Sequence, residues 1–175
     1  MSNLPFGFDT PEDSPGFLLW QTTMVWQRQI KKSLEPYDIS HAQFVIMATL
    51  MWFEAHHYDT TQILIVNCSK LDKMTVSKSL RKLVALGCVN RIEHETDTRA
   101  KSVSLTEKGK EMVRTLVPIV EGIDSAFFGK VSHKEQKNLV AIQTPMMSLI
   151  FFYFEQRHLR NLFYLKILDN FSSRS

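Results

Sequence analysis

Between residues 72 and 101 the chain sets out side chains suited to one kind of chemistry, the binding of a polyanion. Turned at about 100° per residue, a helix over 73–86 places Val76, Leu80, Leu83 and Gly87 on one side, with Val84 at its edge. Met74, Lys78, Arg81 and Ala85 then lie directly opposite, flanked by Ser77 and Lys82, with Lys73 at the start of the helix. That outer face is narrow, basic and free of acids. Cations serve phosphates and guanine edges, and slender neighbours let a helix backbone approach the floor of a major groove. Asp72 stands at the N-cap, where its charge is used on backbone amides. Downstream, the polar turn 95–100 joins two short strands, 89–94 and 101–105, and brings Arg99 and Lys101 to the tip of a hairpin. An arginine at such a tip fits a narrow minor groove, where the negative potential is enhanced. Asp97, two residues away, is placed to hold the Arg99 guanidinium in a bidentate pair. A basic helix face alone is equally that of a solvated amphipathic helix; the hairpin directly after it favours nucleic acid.

The elements that must position these residues follow from caps and periodicity. Residues 1–13 read as a flexible arm. Ser14 and Pro15 open a helix to about residue 34, which Pro36 ends. Ser40 and Gln43 form a capping box for a second helix to about residue 55, apolar almost all round and so suited to a core or an interface. Residues 60–69 are ambiguous: Ile63 to Val66 has strand propensity, while its neighbours favour a short helix. Gly87 ends the helix 73–86, and Thr106 caps a helix with an apolar seam at Val113, Leu116, Val120, Ile123 and Phe127. Ser132 and Glu135 open a last long helix, which Pro145 is expected to kink. The fold class is therefore mainly α with a small β-hairpin wing, a winged helix-turn-helix.

Charge is distributed as this reading requires. The chain carries +3 overall, but residues 70–110 hold ten Lys and Arg against five acids, a net +5, and the remainder carries −2. Concentrated positive charge is the footprint that a phosphate backbone selects. Other chemistries find no residues. There is no Gly-rich phosphate loop, no G-x-S-x-G and no HExxH, so neither an enzyme nor a cofactor is expected. His56 and His57 are adjacent on a helix and point apart, which suits a helix end better than a metal site. Cys68 and Cys88 lack paired spacing and read as core or half-buried thiols of a cytoplasmic protein. The longest apolar run, 146–154, is broken at Ser148 and falls far short of the ~20 residues of a membrane span, and the N-terminus has no signal-peptide pattern. Trp20, Trp52 and Phe53 are candidates to line an effector pocket, against the plainer expectation that helical aromatics form core.

Three strings carry a family resemblance: Asp72-Lys73-Met74-Thr75-Val76-Ser77-Lys78; Leu86-Gly87-Cys88-Val89-Asn90-Arg91; and Asp97-Thr98-Arg99 running on to Leu105-Thr106-Glu107-Lys108-Gly109. They resemble the multiple-antibiotic-resistance repressor (MarR) family. The likeness is specific from residue 71 to 109 and architectural over the rest of 14–157. It implies a homodimeric winged-helix repressor on a pseudo-palindromic double-stranded DNA operator. The DNA-binding part would span about 40–106, with dimerisation helices at about 14–35 and 106–157. It implies that Met74, Thr75, Ser77 and Lys78 face bases or phosphates and that Arg99, held by Asp97, is the wing arginine. Many members release DNA when a small phenolic or lipophilic ligand binds. The chain departs from the family at Ile63 and Leu64, where polar residues are usual, in lacking a cysteine in the first helix, and in an extra amphipathic segment over 158–175. The alternative reading is a winged-helix protein-interaction module that does not bind DNA.

Overall fold

The structure is a computed structural model, and it describes residues 5–93 and 101–154, with the backbone alone at 93, 101 and 148–154. The hairpin turn with Asp97 and Arg99, and the segment 158–175, lie outside the described residues. Six helices and one two-stranded antiparallel sheet follow one another as α1 (Pro15–Leu34), α2 (His41–Ala55), α3 (Gln62–Ser69), α4 (Lys73–Ala85), β1 (Val89–Glu93), β2 (Lys101–Leu105), α5 (Glu107–Phe128) and α6 (His133–Phe154). They divide into two compact units between Phe127 and Phe128.

Local chemistry sets most boundaries. The Ser14 hydroxyl accepts from Phe17 N, and α1 tightens into a 3₁₀ turn, Glu35–Tyr37, before Asp38 turns left-handed at φ 52°. In the N-terminal arm, Thr10 and Asp13 close a 3₁₀ turn at Pro11–Asp13. The Ser40–Gln43 capping box forms in both directions, with Ser40 N donating to the side-chain carbonyl of the buried Gln43 and Gln43 N donating to the Ser40 hydroxyl. Both α5 and α6 run through a proline, at Pro118 and Pro145.

Residues 60–69 resolve as a helix with strand character just ahead of it. Thr60 O accepts from Val103 N at 2.9 Å, and Thr61 bridges Ser102, so this stretch lies against the wing strand β2. Thr61 then caps α3 by accepting from Leu64 N. Ile65 is buried, whereas Ile63 is 65% exposed, so the apolar run divides between core and solvent as a helix requires. Lys70 ends α3 in the left-handed conformation, φ 57°, and two residues later Asp72 caps α4.

The core of the first unit gathers around α2, which packs on α1, α3, α4 and β2. Ile46, Met47 and Leu50 meet Ile65 of α3, Val76, Leu80 and Leu83 of α4, Val103 and Leu105 of β2, and Val113 and Leu116 of α5 in one cluster. Each such side chain contributes about 1.5–3 kcal/mol on burial. The apolar character of α2 is thus used within the chain. The N-terminal half of α1 differs: Phe17, Leu18, Leu19 and Trp20 are all exposed, Trp20 by 59%. In the second unit, Ser132 and Glu135 cap α6, and the Gln136 amide donates to Phe128 O and Val131 O at 3.1 Å.

Candidate nucleic-acid interface

Helix α4 divides by face as its sequence periodicity predicts. Val76, Leu80 and Leu83 are buried, joined by Ser79, while Lys73, Met74, Lys78, Arg81, Lys82 and Ala85 are exposed. Val84, placed by periodicity at the edge of the packed side, is exposed instead. Ser77 and Thr75 are half-buried.

The polar groups on the outer face are not equivalent. Asp72 Oδ1 accepts from Thr75 N at 2.8 Å, and Asp72 Oδ2 accepts from the Thr75 hydroxyl at 2.6 Å. The hydroxyl bond, foremost, and then the backbone bond hold the Asp72 carboxyl below the usual carboxylate range. Thr75 is thereby part of the cap, with its proton committed. Lys82 reaches back to the linker between α1 and α2 and pairs with Asp38 Oδ1 at 2.9 Å and Asp38 O at 3.2 Å. Arg81, which is exposed, donates through Nε to Ser77 O at 3.4 Å, one turn back. Lys73 and Lys78 make no ion pair among the described residues. The grouping of seven α4 residues (Lys73, Met74, Thr75, Ser77, Lys78, Arg81 and Lys82) as one binding face therefore separates into cations with no ion pair among the described residues, a capping threonine and a tethered lysine, beside Met74 and Ser77. Tertiary neighbours make that separation, so one-helix periodicity does not show it.

The end of α4 is anchored by the Leu105–Gly109 string. Gly87 has φ +70°, which an L side chain adopts at a cost, and it lets the chain leave the helix for β1. The Thr106 hydroxyl donates to Gly87 O at 2.7 Å and accepts from Gly109 N at 3.0 Å. Lys108 donates to Leu86 O at 2.7 Å, a cation on the carbonyl end of α4. Thr106 N donates to Cys88 O at 3.0 Å, and α5 passes so close that a methyl group at Gly109 would overlap that carbonyl. Lys110 ties α5 to Glu54 of α2. The string is thus a clamp between α4 and α5.

The wing is held from α3. Cα register pairs Val89 with Leu105 and Glu93 with Lys101, and Val89, Val103 and Leu105 point into the core. Arg91 of β1 donates through Nη2 to Gln62 Oε1 at 2.7 Å, while its buried Nε has no partner among the described residues. The wing-tip residues Asp97 and Arg99 lie outside the described residues, and Lys101 is described by its backbone alone.

A groove of about 640 Å³ opens beside the linker between α1 and α2. It is lined by Arg28, Lys31, Asp38, Ile39, His41 and Lys82, among others. Trp20, Trp52 and Phe53, proposed from sequence as an effector pocket, are absent from its walls. Trp20 stacks on Phe17, and Trp52 packs on Phe53, His56 and Tyr58, with His56 Nδ1 2.7 Å from Trp52 O. Phe53 is fully buried. Trp26 donates to Asp124 at 2.7 Å and meets the His41 ring edge-on. Burial lowers the pKa of His41, opposed by the Asp124 carboxylate. Burial raises the Cys68 thiol, against the pull of Lys70, which disfavours the reactive thiolate. Among the described residues no cluster of three or more His, Cys, Asp or Glu side chains is placed to hold a metal, and no helix is long and apolar enough to cross a membrane.

Residues 35–122 match the family model of the ArnR1-like winged-helix domain. The chain is 41% identical over 128 residues to the uncharacterized HTH-type transcriptional regulator YdcH of Bacillus subtilis, covering 73% of this chain and 87% of that one. A MarR transcriptional regulator from Methanosarcina mazei is 27% identical in structure-based comparison, with a TM-score of 0.64 over 78% of this chain and 95% of that one. The Staphylococcus aureus MepR–DNA complex shares the fold at TM-score 0.70 and 24% identity, over 77% and 97%. A matched winged-helix domain, a relative at this identity and this arrangement of helices and wing together lead to one assignment: the chain belongs to the MarR family of winged helix-turn-helix transcriptional regulators.

Proposed function

We propose that the protein is a sequence-specific DNA-binding transcription regulator that acts as a homodimer, with α4 in the major groove and the wing at the minor groove. The observation that carries this reading is the outer face of α4, where Lys73, Lys78 and Arg81 are exposed with no acid among them. The clamp from Thr106 and Lys108 supports it, because a helix that reads bases must hold its position. MepR, which shares the fold, has been crystallised on DNA. Occupying its operator, the protein represses by exclusion.

Dimerisation is supported by α1, whose Phe17, Leu18, Leu19 and Trp20 stand in water in the single chain, and by exposed Val140, Ile142 and Met146 on α6. Large apolar side chains exposed on each of these helices mark a surface that a partner covers. A twofold dimer presents its α4 helices to half-sites about 34 Å apart. The groove beside Lys82 offers a small anionic or phenolic effector a route to α4, since a ligand there competes with Asp38 for that lysine.

Selection of bound duplexes from a random pool, followed by polarisation titrations, tests the reading. A pseudo-palindrome should emerge, and affinity should fall steeply as salt rises. Lys78→Ala and Arg99→Ala should each weaken binding about tenfold, in the range of one lost charged contact. Sizing should give a dimer that Trp20→Glu shifts toward monomer. Absence of any enriched sequence, with a stable hetero-complex on sizing, would instead support a protein-interaction module, for which exposed Ile63 is the candidate contact.

A further inference from the structure

We infer that Met74 reads the C5-methyl group of a thymine in each operator half-site. This rests on the DNA-binding reading above and names what the first turn of α4 recognises. Met74 is the second residue of α4, and the N-terminal residues of a recognition helix are those that contact base edges. It is 76% exposed, more than any other large apolar side chain among the described residues. The remaining large apolar residues of α4 are buried, apart from Val84 near the far end.

The polar groups that could read bases beside Met74 are engaged. Both Asp72 oxygens accept from Thr75, and the Thr75 hydroxyl donates to Asp72. Each Asp72 oxygen is thereby engaged by its own helix, and Thr75 presents no free proton. What the first turn offers a groove floor is a lysine, Lys73, and the flexible thioether chain of Met74. Among the groups that base pairs expose in the major groove, the thymine methyl is the apolar one. An unbranched side chain with three rotatable bonds reaches and adapts to such a target. Water is excluded from both partners when they meet, so discrimination arises from the methyl itself and not from hydrogen bonding.

Full-length protein, the selected operator and a set of duplexes test this. In each duplex one thymine per half-site is replaced by deoxyuridine, which keeps every hydrogen-bonding group and removes the methyl. Burial of one methyl corresponds to about fourfold in affinity per half-site. The expected result is one position per half-site at which the replacement weakens wild-type binding by about that factor. Met74→Ala should bind the native duplex more weakly and be indifferent to deoxyuridine at that position, while Lys78→Ala binds more weakly yet keeps the sensitivity. An unchanged melting temperature in Met74→Ala shows that the exposed side chain acts on DNA and not on folding. A flat deoxyuridine series with tight native binding, a selected half-site lacking thymine, or sensitivity that persists in Met74→Ala overturns this inference and leaves the DNA-binding reading standing. Absence of salt-dependent binding to the native duplex overturns both.

Discussion

Residues that look alike in the sequence of α4 differ in what they are free to do. Lys78 and Lys82 are four apart on one helix, yet Lys82 holds Asp38 at 2.9 Å and Lys78 holds nothing among the described residues. The Lys82 pair is solvent-exposed on both sides, so it adds little to stability, on the order of 0–1 kcal/mol. Its effect is on DNA: a lysine must give up one partner to gain another. Lys78→Ala should therefore lower the salt slope of operator binding by about one, as expected for one lost phosphate contact. Lys82→Ala should change it less. Polarisation titrations across a series of salt concentrations check the difference, and equal losses would show that Asp38 does not hold Lys82 back.

Elements depend on glycines for two separable reasons. At Gly87 the φ of +70° is the constraint, and space for a methyl group is open. At Gly109 the backbone is ordinary, and the Cys88 carbonyl leaves no room. Gly87→Ala should accordingly cost about 1 kcal/mol, the penalty of a left-handed L residue. Gly109→Ala should cost about 3 kcal/mol, the upper part of the usual overpacking range, because a backbone carbonyl must move. Urea unfolding midpoints order the two variants. The clamp adds a second readout: displacement at Cys88 disturbs Thr106 and Lys108, which hold the end of α4, so Gly109→Ala should also weaken operator binding in the folded protein.

For the molecule as a whole, pH tests how the helices are packed. His41 begins α2, its ring against Trp26 of α1, while Trp26 donates to Asp124 of α5. Burial lowers the folded-state pKa of His41 below its ordinary value of about 6.5. In the window between those two values the unfolded chain binds more protons, so stability rises with pH there. The contribution is complete above about pH 6.5 and is lost as pH falls toward the lowered folded value. Chemical denaturation between pH 5 and 7.5 should show this slope, with those limits set at about the ordinary histidine range, and His41→Gln should flatten it. The lowered carboxyls of Asp72 and Glu135 also lose stability as pH falls, but in the more acidic carboxylate range, which keeps the two effects apart. A slope that survives in His41→Gln would place the titrating group elsewhere.

Much of the architecture follows from the sequence by itself, and for a definite reason. Ser14, the Ser40–Gln43 box, Asp72, Thr106 and the Ser132–Glu135 box each bond within three residues of themselves, so the chemistry that starts each helix is local. The same holds for the two faces of α4, because Val76, Leu80 and Leu83 keep helical spacing. The family resemblance, carried by short strings, survives for the same reason. Other features were decided by partners distant in the chain. Residues 60–69 read equally as strand or helix until Thr60 met Val103 and Ile65 entered the core. Lys82 became a tethered residue through Asp38, 44 positions away, Arg91 found Gln62 at 29 positions, and Lys108 found Leu86 O at 22. A helical wheel measures direction from one axis and is silent on what stands opposite. The sequence determined where the reading helix begins, ends and turns its basic side; the tertiary structure decided which of its cations are free to bind and what holds the helix still.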